Sequence, residues 1–326
     1  MNTIVLIVPY FGKLPSNFQL WLEGCRFNSS IDWLLFLDDH QVYDYPDNVI
    51  VTYTSFDEMK KKIQRLYDFP ITLEEPYKLC DYRVAYGEIF KEEIRKYQYW
   101  GYCDIDLLFG NIRKFIIDEV LKTYEKIGFQ GHLTIFKNNP ETAKRYRNNL
   151  EGIPTYKYIF TTPDSCMFDE DIIDAVYKHL KIPVFKKVYF AHLLKYFKDF
   201  HLGHLPKEDE YKNKDNIFSW NQGKLYRHYL KNGIAHKEEM LYIHFFCRDM
   251  NIKIRNYGKL SQIIIYPNSI EEYNNLISES IIKRKAHTSV IIFKLRYLYK
   301  NRYKLSFWKI LDYLDKSRKE TRGFKN

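Results

Sequence analysis

Paired cysteines and long apolar segments are both missing from this chain of 326 residues. Its five cysteines are widely spread and none belongs to a Cys-X-X-Cys pair, which argues against a disulfide framework and against a structural zinc site. The apolar run at residues 4–8 is too short for a signal peptide or a membrane span, and no other run reaches about 18 apolar residues. We therefore expect a cytoplasmic protein.

Positive charge is concentrated at the carboxyl end. The chain has a net charge of +10, yet residues 1–282 hold 37 basic and 38 acidic side chains, whereas residues 283–326 hold 14 basic and 3 acidic ones. Cations alternate with aromatic residues in this tail, which predicts basic amphipathic helices lying on the inner face of the cytoplasmic membrane. One alternative is a helical pair that packs on the body. Another is a nucleic-acid-binding protein, but the nearly neutral body argues against nucleic acid as a partner.

Strands alternate with helices through the first half of the chain. The predicted strands cover residues 3–8, 33–37, 49–53 and 99–103, and the predicted helices cover residues 18–25, 56–67 (with Ser55 as N-cap), 82–97 and, later, 271–282. This alternation predicts an α/β fold of Rossmann type, with a mostly parallel sheet flanked by helices. We divide the chain into a catalytic domain (1–282, with halves 1–124 and 125–282) and the basic helical tail (283–326).

Ligands of such sheets bind at the carboxyl ends of the strands. Candidate binding residues follow three of the predicted strands: Pro9, Tyr10, Phe11 and Gly12; then Asp38 and Asp39; then Asp104 and Asp106. The last two flank one residue on an extended segment, so both carboxylates can face one side and hold Mg²⁺ or Mn²⁺. The alternative is a solvated turn, but charged residues between two apolar runs are seldom there to be solvated.

Two further segments carry candidate ligands. His244 lies in an apolar strand-like stretch and offers a third metal ligand, and Arg248 offers a bidentate contact to a diphosphate. A core histidine and a surface arginine are the alternative. Before the 82–97 helix, Lys78 and Arg83 offer contacts to phosphate, and Asp81 offers a contact to ribose. There the alternative is Asp81 as a helix cap and Lys78 as a solvated charge.

Six short segments together resemble a bacterial family of GT-A-type glycosyltransferases from capsule and O-antigen clusters. They are PYFGKLP (9–15), PYKLCD (76–81), AYG (85–87), WGYCDIDLLFG (100–110), GHLT (131–134) and YIHF (242–245). The resemblance covers roughly residues 3–250. It departs where Arg83 and Val84 replace an expected Lys-Pro, although Arg83 keeps the positive charge.

The resemblance implies a transferase that moves a hexosyl unit from a nucleotide-diphosphate sugar, such as a UDP-sugar. The acceptor would be a hydroxyl of a bacterial surface polysaccharide or a lipid-linked oligosaccharide. It also implies Mn²⁺ or Mg²⁺ at Asp104, Asp106 and His244, with the base and ribose near Tyr10, Asp38 and Asp39. A non-catalytic scaffold for polysaccharide assembly is the alternative that keeps the fold without the activity.

The acceptor side offers one candidate for catalysis. Asp169 and Glu170 lie in an acidic cluster that follows a predicted strand at residues 156–160. An inverting transferase needs a carboxylate to take the proton of the acceptor hydroxyl, and we assign that role to one of these two. The alternative is that they belong to the acidic first turn of a predicted helix at 171–180, where carboxylates offset the helix dipole.

Overall fold

The computed structural model describes residues 2–194, 197–204, 215–246, 248, 250–257, 260 and 262–287. The strands are β1 (Ile4–Tyr10), β2 (Ile31–Leu37), β3 (Val49–Tyr53), β4 (Tyr99–Cys103), β5 (Leu107–Phe109), β6 (Lys126–Ile127), β7 (Leu133–Lys137), β8 (Val184–Phe185), β9 (Ala191–Leu193), β10 (Leu202–Gly203), β11 (Ile217–Asn221), β12 (Lys224–Lys231), β13 (Ile234–Met240), β14 (Tyr242–His244), β15 (Asn251–Lys253), β16 (Gln262–Tyr266) and β17 (Ser269–Glu272). The helices are α1 (Phe18–Arg26), α2 (Phe56–Gln64), α3 (Leu79–Tyr82), α4 (Tyr86–Ile89), α5 (Lys91–Ile94), α6 (Ile112–Phe115), α7 (Asp118–Thr123), α8 (Pro140–Ala143), α9 (Tyr156–Thr161), α10 (Ile173–His179) and α11 (Glu279–Lys285).

A seven-stranded sheet forms the centre of the molecule, in the order β3-β2-β1-β4-β7-β6-β8. Every pair in it is parallel except the two made by β7. The predicted fold class, an α/β fold with a mostly parallel sheet flanked by helices, is therefore confirmed. Strands on both sides of residue 124 build this sheet.

Strand β1 shows why this sheet is buried on both faces. Val5 and Ile7 point into one apolar cluster and Ile4, Leu6 and Val8 into another on the opposite face. Because successive side chains of a strand alternate between faces, a strand covered on both sides is apolar throughout. The strand order reverses between β1 and β4, and in open α/β sheets this is where a crevice forms at the carboxyl ends of the strands.

Two further sheets follow. The second has the order β10-β9-β14-β5, and the third, which the sequence did not predict, has the order β13-β12-β11-β16-β17-β15. The third sheet contains two tight hairpins, at Gln222-Gly223 and at Asn232-Gly233, and all four residues have positive φ. Asn-Gly between two strands is the strongest short-range signal for such a hairpin, so Asn232-Gly233 marked this feature in the sequence.

Several local predictions need correction. Residues 156–160 form helix α9 rather than a strand, and Phe160 stacks on Tyr82 with ring centroids 4.2 Å apart. The helix predicted for 82–97 is broken into α3, α4 and α5, and the one predicted for 271–282 begins only at Glu279. The N-cap at Ser55 is confirmed, because its hydroxyl accepts a hydrogen bond from the Glu58 amide.

The predicted basic tail starts in α11, and from residue 288 onward it lies outside the described residues. Within the described ranges, no helix is long and apolar enough to cross a membrane.

Candidate functional site

The three predicted metal ligands come together at the carboxyl edge of the central sheet. Asp104 and Asp106 directly follow β4, and β5 pairs with β14 so that Leu107 lies opposite His244. Nε2 of His244 lies 3.3 Å from Oδ1 of Asp106 and 3.7 Å from Oδ2 of Asp104. One ligand atom from each residue falls within 4.8 Å of the others. Two carboxylates and an imidazole at this spacing fit Mn²⁺ or Mg²⁺.

Arg83 provides a cation inside this acidic site. Its guanidinium donates to Oδ1 of Asp104 at 2.6 Å and to Oδ2 of Asp169 at 3.0 Å. The same group donates to the Gly131 carbonyl and lies over the ring of Tyr102. Arg83 therefore joins the predicted metal ligands to the predicted acceptor side, a connection that the sequence did not reveal.

Negative charge outweighs positive charge in this cluster. Burial is the largest cause that raises the pKa of Asp104, and the neighbouring Asp106 raises it further, while Arg83 opposes both. Burial likewise raises the pKa of Asp169 to about 6 and that of Glu170 to about 7. Carboxylates that resist ionisation because of burial and one another are characteristic of sites that receive a cation or move a proton.

The turn that carries Asp169 and Glu170 has an unusual backbone. Met167 has a φ of +53°, and residues Phe168–Ile172 form a single π-helical turn before α10. Such turns occur often at functional sites. Both carboxylates lie against Gly131, where an added Cβ would come within 3.0 Å of Asp169 and 3.1 Å of Glu170.

The two carboxylates differ in their partners. Asp169 is buried and bound by Arg83, so its predicted role as a base is less favoured by the structure. Among the described residues, no side chain donates a hydrogen bond to the carboxylate of Glu170. The turn does precede α10, as the helix-dipole alternative requires, but the Asp169 side chain contacts the site through Arg83.

The loops after β1 and β2 form the adjoining edge of the crevice. The Gly12 amide donates to Oδ1 of Asp38 at 2.7 Å, and the Leu14 amide donates to Asp39. Gly12 has a φ of +96°, which a residue with a side chain rarely adopts. The residues of these two loops that we predicted to bind the sugar donor are thus neighbours, and the first loop follows β1, which pairs with the strand that leads to Asp104.

Other side chains of the first loop point elsewhere. Phe11 is buried and packs on Phe56, with ring centroids 5.4 Å apart. Tyr10 remains half-buried and its hydroxyl donates to the Lys13 carbonyl, while Pro9 still belongs to β1. Of this segment, Tyr10 and Gly12 remain candidates for contact with a ligand.

Lys78 and Asp81 are not at the crevice surface. Lys78 donates to Asp81 at 2.7 Å and to the carbonyls of Ile159 and Asp164, and both side chains are buried. Asp81 also accepts from the amides of Cys166 and Phe168. The alternative, with Lys78 as a solvated charge and Asp81 as a helix cap, is not what the structure shows, because the buried pair fixes the segment that leads into Asp169.

Arg248 also serves the fold. Its guanidinium donates to the carbonyls of Phe197 and Lys198 at 2.9 and 2.8 Å, and burial lowers its pKa to about 10. These carbonyls take two of its donor groups, and the contact to a diphosphate stays a prediction.

Three buried histidines form a group next to the carboxylates. The sequence predicted His244 as a ligand but did not predict the group. Nδ1 of His192 lies 2.9 Å from Nδ1 of His244, and the ring of His132 lies 4.0 Å from that of His244. Burial lowers the pKa of His132, and it lowers that of His192 to about 3. His244 differs, since Asp106 and Asp104 more than offset its burial and raise its pKa. His132 stood in the GHLT segment, but nothing local pointed to His192.

Comparison with known proteins places the chain in a family. The sequence profile of DUF6625, a family of unknown function, matches residues 6–274. The chain belongs to this family. The DUF6625 match spans all three sheets and includes every residue of the acidic site.

No curated protein matches the sequence significantly. Among solved structures, the chain is similar to mouse xyloside xylosyltransferase 1 in its apo form, with a TM-score of 0.39 and 10% sequence identity. The likeness covers 76% of this chain and 98% of the mouse one. At this level of similarity the likeness does not indicate a function, which has to come from the site itself.

Proposed function

We propose that this protein is a metal-dependent glycosyltransferase of GT-A type that uses a nucleotide-diphosphate sugar as donor. The observation that carries the proposal is the meeting of Asp104, Asp106 and His244 at the point where the strand order reverses. The loops held together by Asp38 and Gly12 border the same crevice. A cation-binding group beside a strand-end crevice suits a ligand that carries a diphosphate.

Each group at the site has a defined part in this proposal. A bound Mn²⁺ or Mg²⁺ would offset the charge that develops on the leaving nucleoside diphosphate. Asp104, Asp106 and His244 would hold this ion. Arg83 is always protonated and lies beside Asp104, so it supplies a second positive charge close to the diphosphate.

Glu170 is the candidate base for an inverting transfer. The acceptor hydroxyl would give its proton to the Glu170 carboxylate while its oxygen bonds to the anomeric carbon and the bond to the diphosphate breaks. A base works best when its pKa lies near the working pH, and that of Glu170 is raised to about 7. Asp169 would act as a positioning residue, because it holds Arg83 rather than a substrate.

A non-catalytic scaffold is the alternative with the same fold. The site holds more buried carboxylates than cations, and this argues against a scaffold. Buried carboxylates that resist ionisation do not stabilise the fold by themselves. A purified chain that binds a glycan but hydrolyses no donor under any metal condition would favour the scaffold.

Hydrolysis of the free donor tests the activity directly. The protein would be incubated with a panel of nucleotide sugars and Mn²⁺ or Mg²⁺, and release of the nucleoside diphosphate would be measured. We expect release from one or a few donors, and loss of that release in excess EDTA. Release that continues at full rate in EDTA would contradict the proposal. Asp118→Asn, at an exposed carboxylate paired with Arg113, serves as the matched control.

We further propose that the acceptor is a hexose-accepting hydroxyl on a bacterial surface polysaccharide or lipid-linked oligosaccharide, reached from the inner face of the membrane. The excess of basic residues in 283–326 supports this location. A chain ending after His287, which keeps helix α11 and the buried Ala286, should lose binding to anionic vesicles and still hydrolyse the free donor. Vesicle binding that survives truncation would contradict the role of the tail.

A further inference from the structure

A group of three imidazoles lies behind the carboxylate pair. His132, His192 and His244 are all buried, and one ring nitrogen from each falls within 4.8 Å of the others. They come from three separate places: the turn before β7, strand β9 and strand β14. Parallel pairing of β9 with β14 puts His192 directly opposite His244. The sheet itself therefore assembles the group.

The distances within the group come close to those between ligands of one ion. The Nδ1 atoms of His192 and His244 lie 2.9 Å apart and share a hydrogen bond. Two imidazole nitrogens bound to one tetrahedral ion at about 2.0–2.1 Å lie roughly 3.3–3.4 Å apart, so an ion would replace this hydrogen bond after a small movement of the rings. The rings of His132 and His192 are nearly parallel, with centroids 4.9 Å apart, and one nitrogen of His132 belongs to the same group of ligand atoms.

This group is distinct from the carboxylate set, although it shares one ring with it. The carboxylates of Asp104 and Asp106 lie at Nε2 of His244, whereas His192 lies at its Nδ1. The two nitrogens of an imidazole point away from each other. An ion held by the carboxylates and an ion held by the imidazoles would therefore lie on opposite sides of His244.

We propose that His132, His192 and His244 form a second cation site, selective for a borderline transition metal such as Zn²⁺. Imidazole ligands suit zinc and its neighbours, whereas oxygen ligands suit Mg²⁺ and Mn²⁺. Three imidazoles leave a fourth position for water. The inference rests on ring geometry and holds whether or not the chain transfers sugars.

The shared ring has a consequence for the two sites. A neutral imidazole has one nitrogen with a free lone pair, so His244 serves one ion at a time unless it loses its last ring proton. Zinc bound through Nδ1 would therefore withdraw His244 from the carboxylate site. We expect Zn²⁺ to weaken the binding of Mn²⁺ to the same chain.

Calorimetric titration with Zn²⁺ of the metal-free full-length protein and four variants tests the site. His192→Ala and the bulkier His192→Gln remove one imidazole and leave the carboxylate set intact. Asp106→Asn does the reverse, and His236→Ala alters an exposed histidine of β13 as the control. We expect the two His192 variants, which lose a direct ligand, to lose more zinc affinity than the roughly 10- to 100-fold that an outer-shell change costs. Asp106→Asn changes only the carboxylate at Nε2 of His244, an outer-shell partner of an ion bound at Nδ1, so its loss should stay within that outer-shell range. His236→Ala should stay within a few-fold of the wild type.

Absorption of bound Co²⁺ gives a second readout that is independent of activity. Nitrogen ligation should produce visible bands that the His192 variants lack and Asp106→Asn keeps. Circular dichroism of each variant establishes that it is folded before titration. Unchanged zinc affinity in both folded His192 variants would overturn the proposal. Equal losses in Asp106→Asn and the His192 variants would also overturn it, because His192 would then only orient His244 for a single ion.

Discussion

Two groups of buried charges in this chain differ in whether their positive and negative charges balance. Lys78 and Asp81 form a matched pair, and each also bonds to backbone groups. The cluster around Asp104, by contrast, holds more carboxylates than cations, and the pKa values of three of them are raised. A matched pair needs nothing further and serves the fold. A mismatched cluster needs a cation or a proton from outside, which is what a functional site uses.

Changing the mismatched cluster should produce the largest loss of function. Asp104→Asn and Asp106→Asn each remove a hard oxygen ligand, and we expect metal-dependent hydrolysis of the donor to fall about 10³-fold or more. Steady-state rates over a range of Mn²⁺ concentrations would measure this. The variants should melt no lower than the wild type, since removing a carboxylate relieves repulsion. Wild-type rates in both variants would refute the metal assignment.

Breaking the matched pair should affect stability instead. Lys78→Met leaves the buried Asp81 carboxylate without its cation, which costs about 3–5 kcal/mol of the free energy of unfolding. Urea denaturation would measure the change. Lys60→Met is the control, because the Lys60–Glu74 pair is exposed and such pairs contribute about 1 kcal/mol or less.

The opposite outcome at Lys78 would be informative. If this lysine contacted a phosphate, Lys78→Met would weaken binding of the nucleotide and leave the urea midpoint unchanged. That result would show that Lys78 binds the ligand, and the two groups of charges would then no longer differ in role.

Within the mismatched cluster, substitutions of Glu170 and of Asp169 should have different effects. Glu170→Gln removes the proposed base, so transfer to acceptor should fall about 10²-fold, while binding of the nucleoside diphosphate stays near normal. In the wild type, transfer should rise with pH through about pH 7, because the base must be ionised. That rise should be absent from the residual activity of Glu170→Gln. A pH profile of the variant that matches the wild type would exclude Glu170 as the base.

The smallest expected effect is on the pH dependence of stability without metal. The folded pKa of Asp169 is raised to about 6, so between pH 4 and 6 this side chain is protonated more often in the native state than in the unfolded chain. The contribution of Asp169 to the free energy of unfolding should therefore fall by roughly 1–3 kcal/mol as pH rises through that range. Urea denaturation in EDTA over a range of pH should show that the free energy of unfolding of Asp169→Asn depends less on pH than that of the wild type. An equal dependence would indicate that Asp169 ionises in the native state as easily as in the unfolded chain.

The sequence predicted those parts of the site that depend on local pattern. Asp104 and Asp106 end an apolar strand, and such a strand end can be recognised without knowing the rest of the fold. Arg83 and Asp169 are 86 positions apart, and their contact depends on how two short turns face each other. Lys78 looks the same in a sequence whether it is solvated or buried. Its burial depends on the carbonyls of Ile159 in α9 and of Asp164, and only the folded structure brings these next to it.

The unpredicted third sheet has a comparable explanation. Strand β13 is exposed at most of its positions, so it lacks the apolar alternation that identifies a half-buried strand. Helix α9 was mistaken for a strand because Tyr, Ile and Phe favour strands in isolation. Its burial against Tyr82 overrides that preference.

The salt bridge between Arg83 and Asp104 orients one predicted metal ligand before any ion arrives. A guanidinium does not release its proton at any ordinary pH, so Arg83 stays a partner of Oδ1 of Asp104, at 2.6 Å. The other oxygen, Oδ2, is the one that lies towards Nε2 of His244. An ion bound through Oδ2 would therefore leave the salt bridge intact and would meet a carboxylate whose rotation is already restricted.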